Sequence, residues 1–245
     1  MENQSTTGFQ YCGPLQTRAE DRLLGTAEDI KKFVKKEKVG YEYFKGPCIP
    51  YFDIDEHYKT EAEQAENWES DLMKYYTKLD QEYAAFPGRF IYVLDSSGFK
   101  EHKKGNYTNS FHFKIRGVGY HLSGESIRPV AARLGFSVDM NVYKGPDAWL
   151  KFRLPYASKL KDKPRPATIL HKVGDEWKHW ELEEAEELKV RGKLDRYENW
   201  LIQYVGDEKC VDAVPEEKRE VKREVKKEVK MEDDYAGEFE APANP

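Results

Sequence analysis

The stretch Tyr51-Phe52-Asp53-Ile54-Asp55 reads as a β-strand with two chemically different faces. Successive side chains of a strand point to opposite sides. Phe52 and Ile54 therefore face one way, and Asp53 and Asp55 face the other. The same alternation recurs in three further stretches. In 110–116 (SFHFKIR), Phe111, Phe113 and Ile115 form the apolar side, and Ser110, His112, Lys114 and Arg116 share the other. In 138–142 (VDMNV), Val138, Met140 and Val142 pack, leaving Asp139 and Asn141 together. In 150–154 (LKFRL), Leu150, Phe152 and Leu154 pack, leaving Lys151 and Arg153. One buried face per strand is ordinary for a sheet. What is unusual is the gathering of carboxylates, a histidine, a serine and cations on the opposite faces.

Working outward, the pattern alternates strands with helices and predicts an α/β fold, of the α+β kind. Residues 1–18 look poorly structured. A short helix is expected over 26–37, with Thr26 as N-cap and Glu28 and Asp29 in its first turn. A strand over 48–55 is followed by a long helix from about 58 to 84. There Trp68, Leu72, Tyr75, Tyr76 and Leu79 recur at helical spacing, and Pro87-Gly88 closes the segment. That aromatic stripe is read as packing. A strand at 90–94, a polar loop from 95 to 109, the strand 110–116 and a helix over 124–134 come next. Strands at 136–143 and 149–155 are expected to form a hairpin across Lys144-Gly145-Pro146-Asp147. A second hairpin is expected within 166–181, and a helix over 184–205 carrying Leu194, Tyr197, Leu201 and Tyr204 on one side. Near 212 the composition changes to EEKREVKREVKKEVKMEDD, with Val at every fourth position. One Val per turn cannot build a core, and a period of four is not the 3.5 of a coiled coil. The expected division is a domain over 1–211, with its motifs in 48–206. Residues 212–245 then form a charged tail or linker, either disordered or a single solvated helix.

The 245 residues suffice for one good core or two small lobes. Charged residues make up 35% and hydrophobic residues 39%, and no run of about 18 apolar residues exists to span a membrane. The start, MENQSTTGFQYCGPLQ, has neither the basic nor the apolar region of a secretory signal. Cys12, Cys48 and Cys210 are scattered and odd in number, which points to a reducing, intracellular compartment, cytoplasmic or nuclear, without a disulfide framework or zinc knuckle. The net charge of −5 conceals an uneven distribution. Residues 98–116 carry five Lys/Arg against one Glu, and residues 151–172 carry seven against one Asp. A basic cleft on an acidic protein suits an anionic substrate. Solvated loops are the plainer reading of the same clusters.

Asp53 and Asp55 project from one face about 7 Å apart at the backbone. Two hard oxygen donors so spaced can share Mg²⁺ or Mn²⁺ with water and phosphate. Asp-x-Asp alone is weak, because Asp55 is equally placed to cap the helix that follows. Asp139, read as a strand-centre aspartate, adds to it, since Asp is disfavoured there and needs a reason. A lone strand histidine is more often structural than catalytic. Beside His112, however, a hydroxyl and cations complete a set able to hold phosphate oxygens, and Arg153, Ser158 and Lys159 repeat the theme. Together these groups suit an enzyme that handles a nucleoside triphosphate with divalent metal. No Gly-x-Ser-x-Gly, Walker A or Gly-x-Gly-x-x-Gly element is present.

The order YFDIDEHY, VLDSS, NSFHFKI, VDMNVYKG, KFRLPYASK, YENWLIQYV resembles the archaeo-eukaryotic primase superfamily over about 48–206. Within that superfamily it is most similar to primase-polymerases and the primase domains of large DNA viruses. The resemblance implies two juxtaposed modules, one with an RRM-like sheet, with the active site in the cleft between them. It implies DNA-template-directed nucleotidyl transfer with a two-metal site at Asp53, Asp55 and Asp139, using Mg²⁺ or Mn²⁺. Ser110, His112, Arg153, Ser158 and Lys159 would bind the incoming nucleotide, and Lys161 and Lys163 the template. The implied partners are single-stranded DNA and nucleoside triphosphates; a replicative helicase, in the same chain or another, is compatible. A lysine that some relatives place two residues before the serine is Thr108 here, with Lys103 or Lys104 as candidate substitutes, and no zinc module follows. Two rival readings are a non-catalytic single-stranded nucleic-acid-binding module and a metal-dependent phosphoesterase.

Overall fold

The computed structural model describes residues 8–13, 22–100, 107–135, 137–159, 165–180, 189–190, 193–194 and 197–203. The chain runs through β1 (Phe9–Cys12), β2 (Leu23–Gly25), α1 (Ala27–Glu37), β3 (Tyr41–Phe44), β4 (Tyr51–Tyr58) and α2 (Glu61–Glu82). It continues through β5 (Phe90–Asp95), β6 (Gly98–Phe99), β7 (Tyr107–Arg116), α3 (Gly124–Leu134) and β8 (Leu150–Arg153). The hairpin strands β9 (Thr168–Val173) and β10 (Glu176–Trp180) follow, then the two-residue strands β11 (Lys189–Val190) and β12 (Lys193–Leu194). Among the described residues this is a mixed α+β architecture with antiparallel sheets and three α-helices. One sheet has the order β2-β1-β3-β8; the other has the order β10-β9-β5-β7-β4, with β6 against β7. No helix among the described residues is long and apolar enough to cross a membrane.

The larger sheet is organised by the alternation in β4 and β7. Phe52 pairs with Phe113 and Ile54 with Phe111, while Asp53 pairs with His112 and Asp55 with Ser110. Directly paired residues share a face. The apolar face packs under α2, whose Leu72, Tyr75 and Leu79 are fully buried. Trp68 of α2 meets Phe111 edge-on at 6.0 Å. α2 starts at Thr60, whose hydroxyl accepts from the Glu63 amide while the Glu63 carboxylate accepts from the Thr60 amide. α1 starts with the same reciprocal box at Thr26 and Asp29. Such a cap contributes about 1 kcal/mol.

The opposite face of the larger sheet is also buried. There Tyr92 and Leu94 join Phe9 and Tyr11 of β1, Ile30 and Val34 of α1, and Trp200 and Leu201 in a second core. A charge pair sits inside it. Lys114 Nζ lies 3.1 Å from Glu42 Oε1 and donates to the Trp200 carbonyl, with both side chains at 0% exposure. The other Glu42 oxygen accepts from the Ile202 amide at 2.7 Å. Arg116 donates to the carbonyls of Asn199 and Leu201. Residues 199–202 are thus strapped across both sheets.

Several expectations need correction. Residues 9–12, expected to be irregular, are β1, paired with both β2 and β3. The 136–143/149–155 hairpin does not form. Val138 makes an isolated antiparallel bridge with Ile54, Met140–Val142 is one 3₁₀ turn, and β8 pairs with β3. The reason is local: the Asp139 side chain accepts from the Asn141 amide at 2.9 Å, an Asx contact that competes with strand pairing. The helix expected over 184–205 is replaced, in the described residues, by β11, β12 and a 3₁₀ turn at Tyr197–Trp200. A continuous helix would turn the 199–202 main chain inward on itself and withhold it from Lys114, Arg116 and Glu42. The hairpin within 166–181 forms as β9 and β10, turning at Gly174 with φ +62°. The boundary expected near 212 and the tail beyond it lie outside the described residues.

Candidate active site

The polar groups singled out from the sequence converge on the second-core face of β4 and β7. Asp53 and His112 are directly opposed, with His112 Nε2 3.4 Å from Asp53 Oδ1. Asp139 directly follows the Val138 bridge to β4; its amide donates to the Asp53 carbonyl at 2.8 Å, which fixes the two aspartates side by side. Asp139 is therefore no strand-centre residue but the cap of the short 3₁₀ turn. Asp55 is next along β4, and the Ser137 carbonyl accepts from its amide.

The cations differ from the expected set. Lys114 and Arg116 share the polar face in sequence but are committed to Glu42 and the 199–202 strap. In their place Lys100, which follows β6, pairs with Asp55 at 2.7 Å. Arg153, 4% exposed, donates to Ser96 Oγ at 2.8 Å and to the Arg165 carbonyl at 3.0 Å. Ser96 Oγ in turn lies 3.1 Å from Ser110 Oγ, and Ser97 Oγ accepts from the Ser110 amide. Ser96, Ser97, Lys100 and Arg165 were not singled out from sequence. The only signals for them were VLDSS and the excess of charge in 98–116 and 151–172. Ser158 is buried, and its amide is bonded to the Lys38 carbonyl. Lys159 is exposed as a residue. Lys103, Lys104, Lys161 and Lys163 lie outside the described residues.

The electrostatics are those of a crowded carboxylate site. Burial, then the neighbouring Asp55 charge, pushes the Asp53 carboxyl up to about 6; Arg153 and Lys159 oppose this and Asp139 adds to it. Burial and the surrounding Arg153, Lys114, Lys159 and Lys100 hold His112 well below the ordinary imidazole value, so it is neutral. Burial lowers Lys100, opposed by Asp55. Desolvation and the Arg153 charge lower Lys159. His112 Nδ1 and Arg153 Nε are buried without a partner among the described residues. Orphaned polar atoms are rare in native interiors and cluster where function sets the geometry.

Among the described residues no three His, Cys, Asp or Glu side chains close into a ready cage for a metal ion. The donor set nevertheless fits Mg²⁺ or Mn²⁺. Such ions are held by one or two carboxylates together with water and substrate phosphates, not by an all-protein cage. Asp53 is also raised by its carboxylate neighbours, a repulsion that a divalent cation relieves. No family model matches the chain, and no curated protein matches it.

Proposed function

We propose that this chain is a DNA-template-directed nucleotidyltransferase, a primase and/or primer-extending polymerase. The observation that carries the reading is the meeting of Asp53, Asp55 and Asp139 beside His112 and Arg153. Supporting it is the order β4-α2-β5-β7-α3 followed by the Val138 bridge. The Val138 segment, β4, β7 and β5 lie side by side, the arrangement of a βαββαβ unit with an RRM-like sheet. On this reading the modules are the two sheets and the active site is the cleft between them. Residues 1–211 form the catalytic unit and 212–245 a tail.

Asp53, Asp55 and Asp139 would hold the divalent metals. Bound Mg²⁺ or Mn²⁺ supplies activation of the attacking hydroxyl and neutralisation of the leaving oxygens. The 3′-hydroxyl gives its proton to solvent, its oxygen forms a bond to the α-phosphorus, and the α–β phosphoanhydride bond breaks as pyrophosphate leaves. Arg153 and Lys159 set the positive field that favours the triphosphate, with Ser110 and Ser158 alongside. Neutral His112 keeps Asp53 oriented and adds no charge to the field. Lys161 and Lys163 would hold single-stranded DNA through its phosphates. A replicative helicase is a compatible partner, and the compartment is intracellular, cytoplasmic or nuclear.

The test is incubation with a single-stranded template, labelled nucleotides and Mn²⁺ or Mg²⁺, with and without a primer. The reading predicts labelled polynucleotide and one pyrophosphate released per nucleotide added. Metal-dependent hydrolysis of phosphodiesters without incorporation contradicts it.

A further inference from the structure

We infer that Lys100 is a resident counter-cation of the three-aspartate cluster. It holds on Asp55 the place of a divalent ion, and so ties metal loading to the arrival of a polyanionic nucleotide. This role rests on reading Asp53, Asp55 and Asp139 as metal ligands.

The contact is close and sheltered. Lys100 Nζ lies 2.7 Å from Asp55 Oδ2, and the lysine side chain is 9% exposed. A cation so far withdrawn from water needs an anionic partner, because its desolvated charge is otherwise costly. Lys100 reaches Asp55 from beyond the strand ladder: it follows Phe99, the end of β6 and the partner of Tyr107. No strand pairing of its own holds it on Asp55. Among the described residues, Asp55 is the one aspartate of the three in contact with a lysine or arginine. Asp53 faces the imidazole of His112 instead.

The charges around Lys100 pull it two ways. Asp55 attracts the ammonium, while Arg165 and Lys159 repel it. An ammonium has three donors and no lone pair, so it cannot join the ligands of an ion. It also repels a second cation on the same carboxylate. A divalent ion on Asp55 therefore works against Lys100 in the free protein. Once Asp55 is neutralised, Lys100 is left with the repulsion of Arg165 and Lys159. A triphosphate relieves that conflict by giving the ammonium anionic oxygens as new partners. Metal and nucleotide then bind better together than either does alone, a positive coupling between two ligands.

The experiment measures the two ligands separately on the 245-residue chain. Free Mn²⁺ is counted by electron paramagnetic resonance during metal titration without nucleotide. Deoxyadenosine 5′-triphosphate is titrated calorimetrically in EDTA. Lys100→Met should bind Mn²⁺ at least about tenfold more tightly than wild type and the triphosphate about tenfold more weakly. Lys100→Arg, which keeps the charge, should match wild type in both. Lys100→Gln keeps an N–H donor without the charge; it should repeat the Lys100→Met result, and replaces that variant if methionine prevents folding. A lysine that merely anchors β6 would, on removal, weaken both ligands or neither. Mn²⁺ affinity unchanged or reduced in the neutral variants overturns the proposal, as does triphosphate affinity unchanged or increased. Asp139→Asn separates this failure from failure of the metal site. Mn²⁺ binding that is lost in Asp139→Asn but indifferent to Lys100 overturns the role of Lys100 alone. Mn²⁺ bound by neither wild type nor the neutral variants, or bound equally by Asp139→Asn, overturns the metal reading and the role of Lys100 with it.

Discussion

Asp53 carries the sharpest conflict between folding and function in the chain. A carboxyl raised to about 6 by burial and by Asp55 binds its proton more tightly folded than unfolded. Ionised Asp53 therefore destabilises the fold above about pH 6. The penalty fades as pH falls from about 6 toward the ordinary aspartate value of 3.8. His112 acts in the opposite sense: held neutral, it costs stability as pH falls below its ordinary value of 6.5. Asp53→Asn should thus raise the melting temperature near neutral pH, and the gain should shrink as pH falls from about 6 toward 4. Scanning calorimetry of both proteins across that range checks this. A variant no more stable than wild type at neutral pH would mean that Asp53 is not under electrostatic load.

At the scale of elements, β7 is the piece on which the rest depends, and its exit is tightly built. Gly117 follows it with φ +78°, and a Cβ there would lie 2.3 Å from the Gly88 carbonyl oxygen. Gly117→Ala should cost about 2–3 kcal/mol in urea denaturation, through backbone strain and a backbone clash. A cost under about 0.5 kcal/mol would show that the Pro87–Gly88 turn yields freely. The faces of β4 and β7 were legible in the sequence because the two-residue period is local, and pairing carried it across the sheet unchanged. Both capped helices were legible for the same reason. Asp139 lies beside Asp53 but not on a strand, since an Asx contact and a single bridge decide its backbone. Lys100 and Ser96 were missed because only long-range approach brings them to Asp55 and Arg153. The 197–203 segment was misread because its main chain is drawn to buried charges that no local pattern announces.

Across the whole molecule, the Glu42–Lys114 pair joins β3 of one sheet to β7 of the other. Removing one partner of a fully buried pair leaves the other charge stranded. Lys114→Met should cost about 3–5 kcal/mol, against a few tenths for the exposed Lys36–Glu37 pair. A loss below about 1 kcal/mol would show that water reaches Glu42 and that the strap is loose.

We propose that three aspartates, two on β4 and one from beyond α3, act as one metal site for nucleotidyl transfer. Asp139→Asn tests it most directly, because Asn keeps the Oδ1 acceptor that caps the 3₁₀ turn and the main-chain bond to Asp53, and removes only the charge. The measurement is labelled-nucleotide incorporation on a primed single-stranded template with Mg²⁺ or Mn²⁺, for wild type and Asp139→Asn at equal melting temperature. Wild type should incorporate nucleotide, and the variant should lose at least about a hundredfold, the scale of losing one electrostatic stabiliser of a transition state. Undiminished incorporation by Asp139→Asn, or none by wild type with either metal, would contradict it.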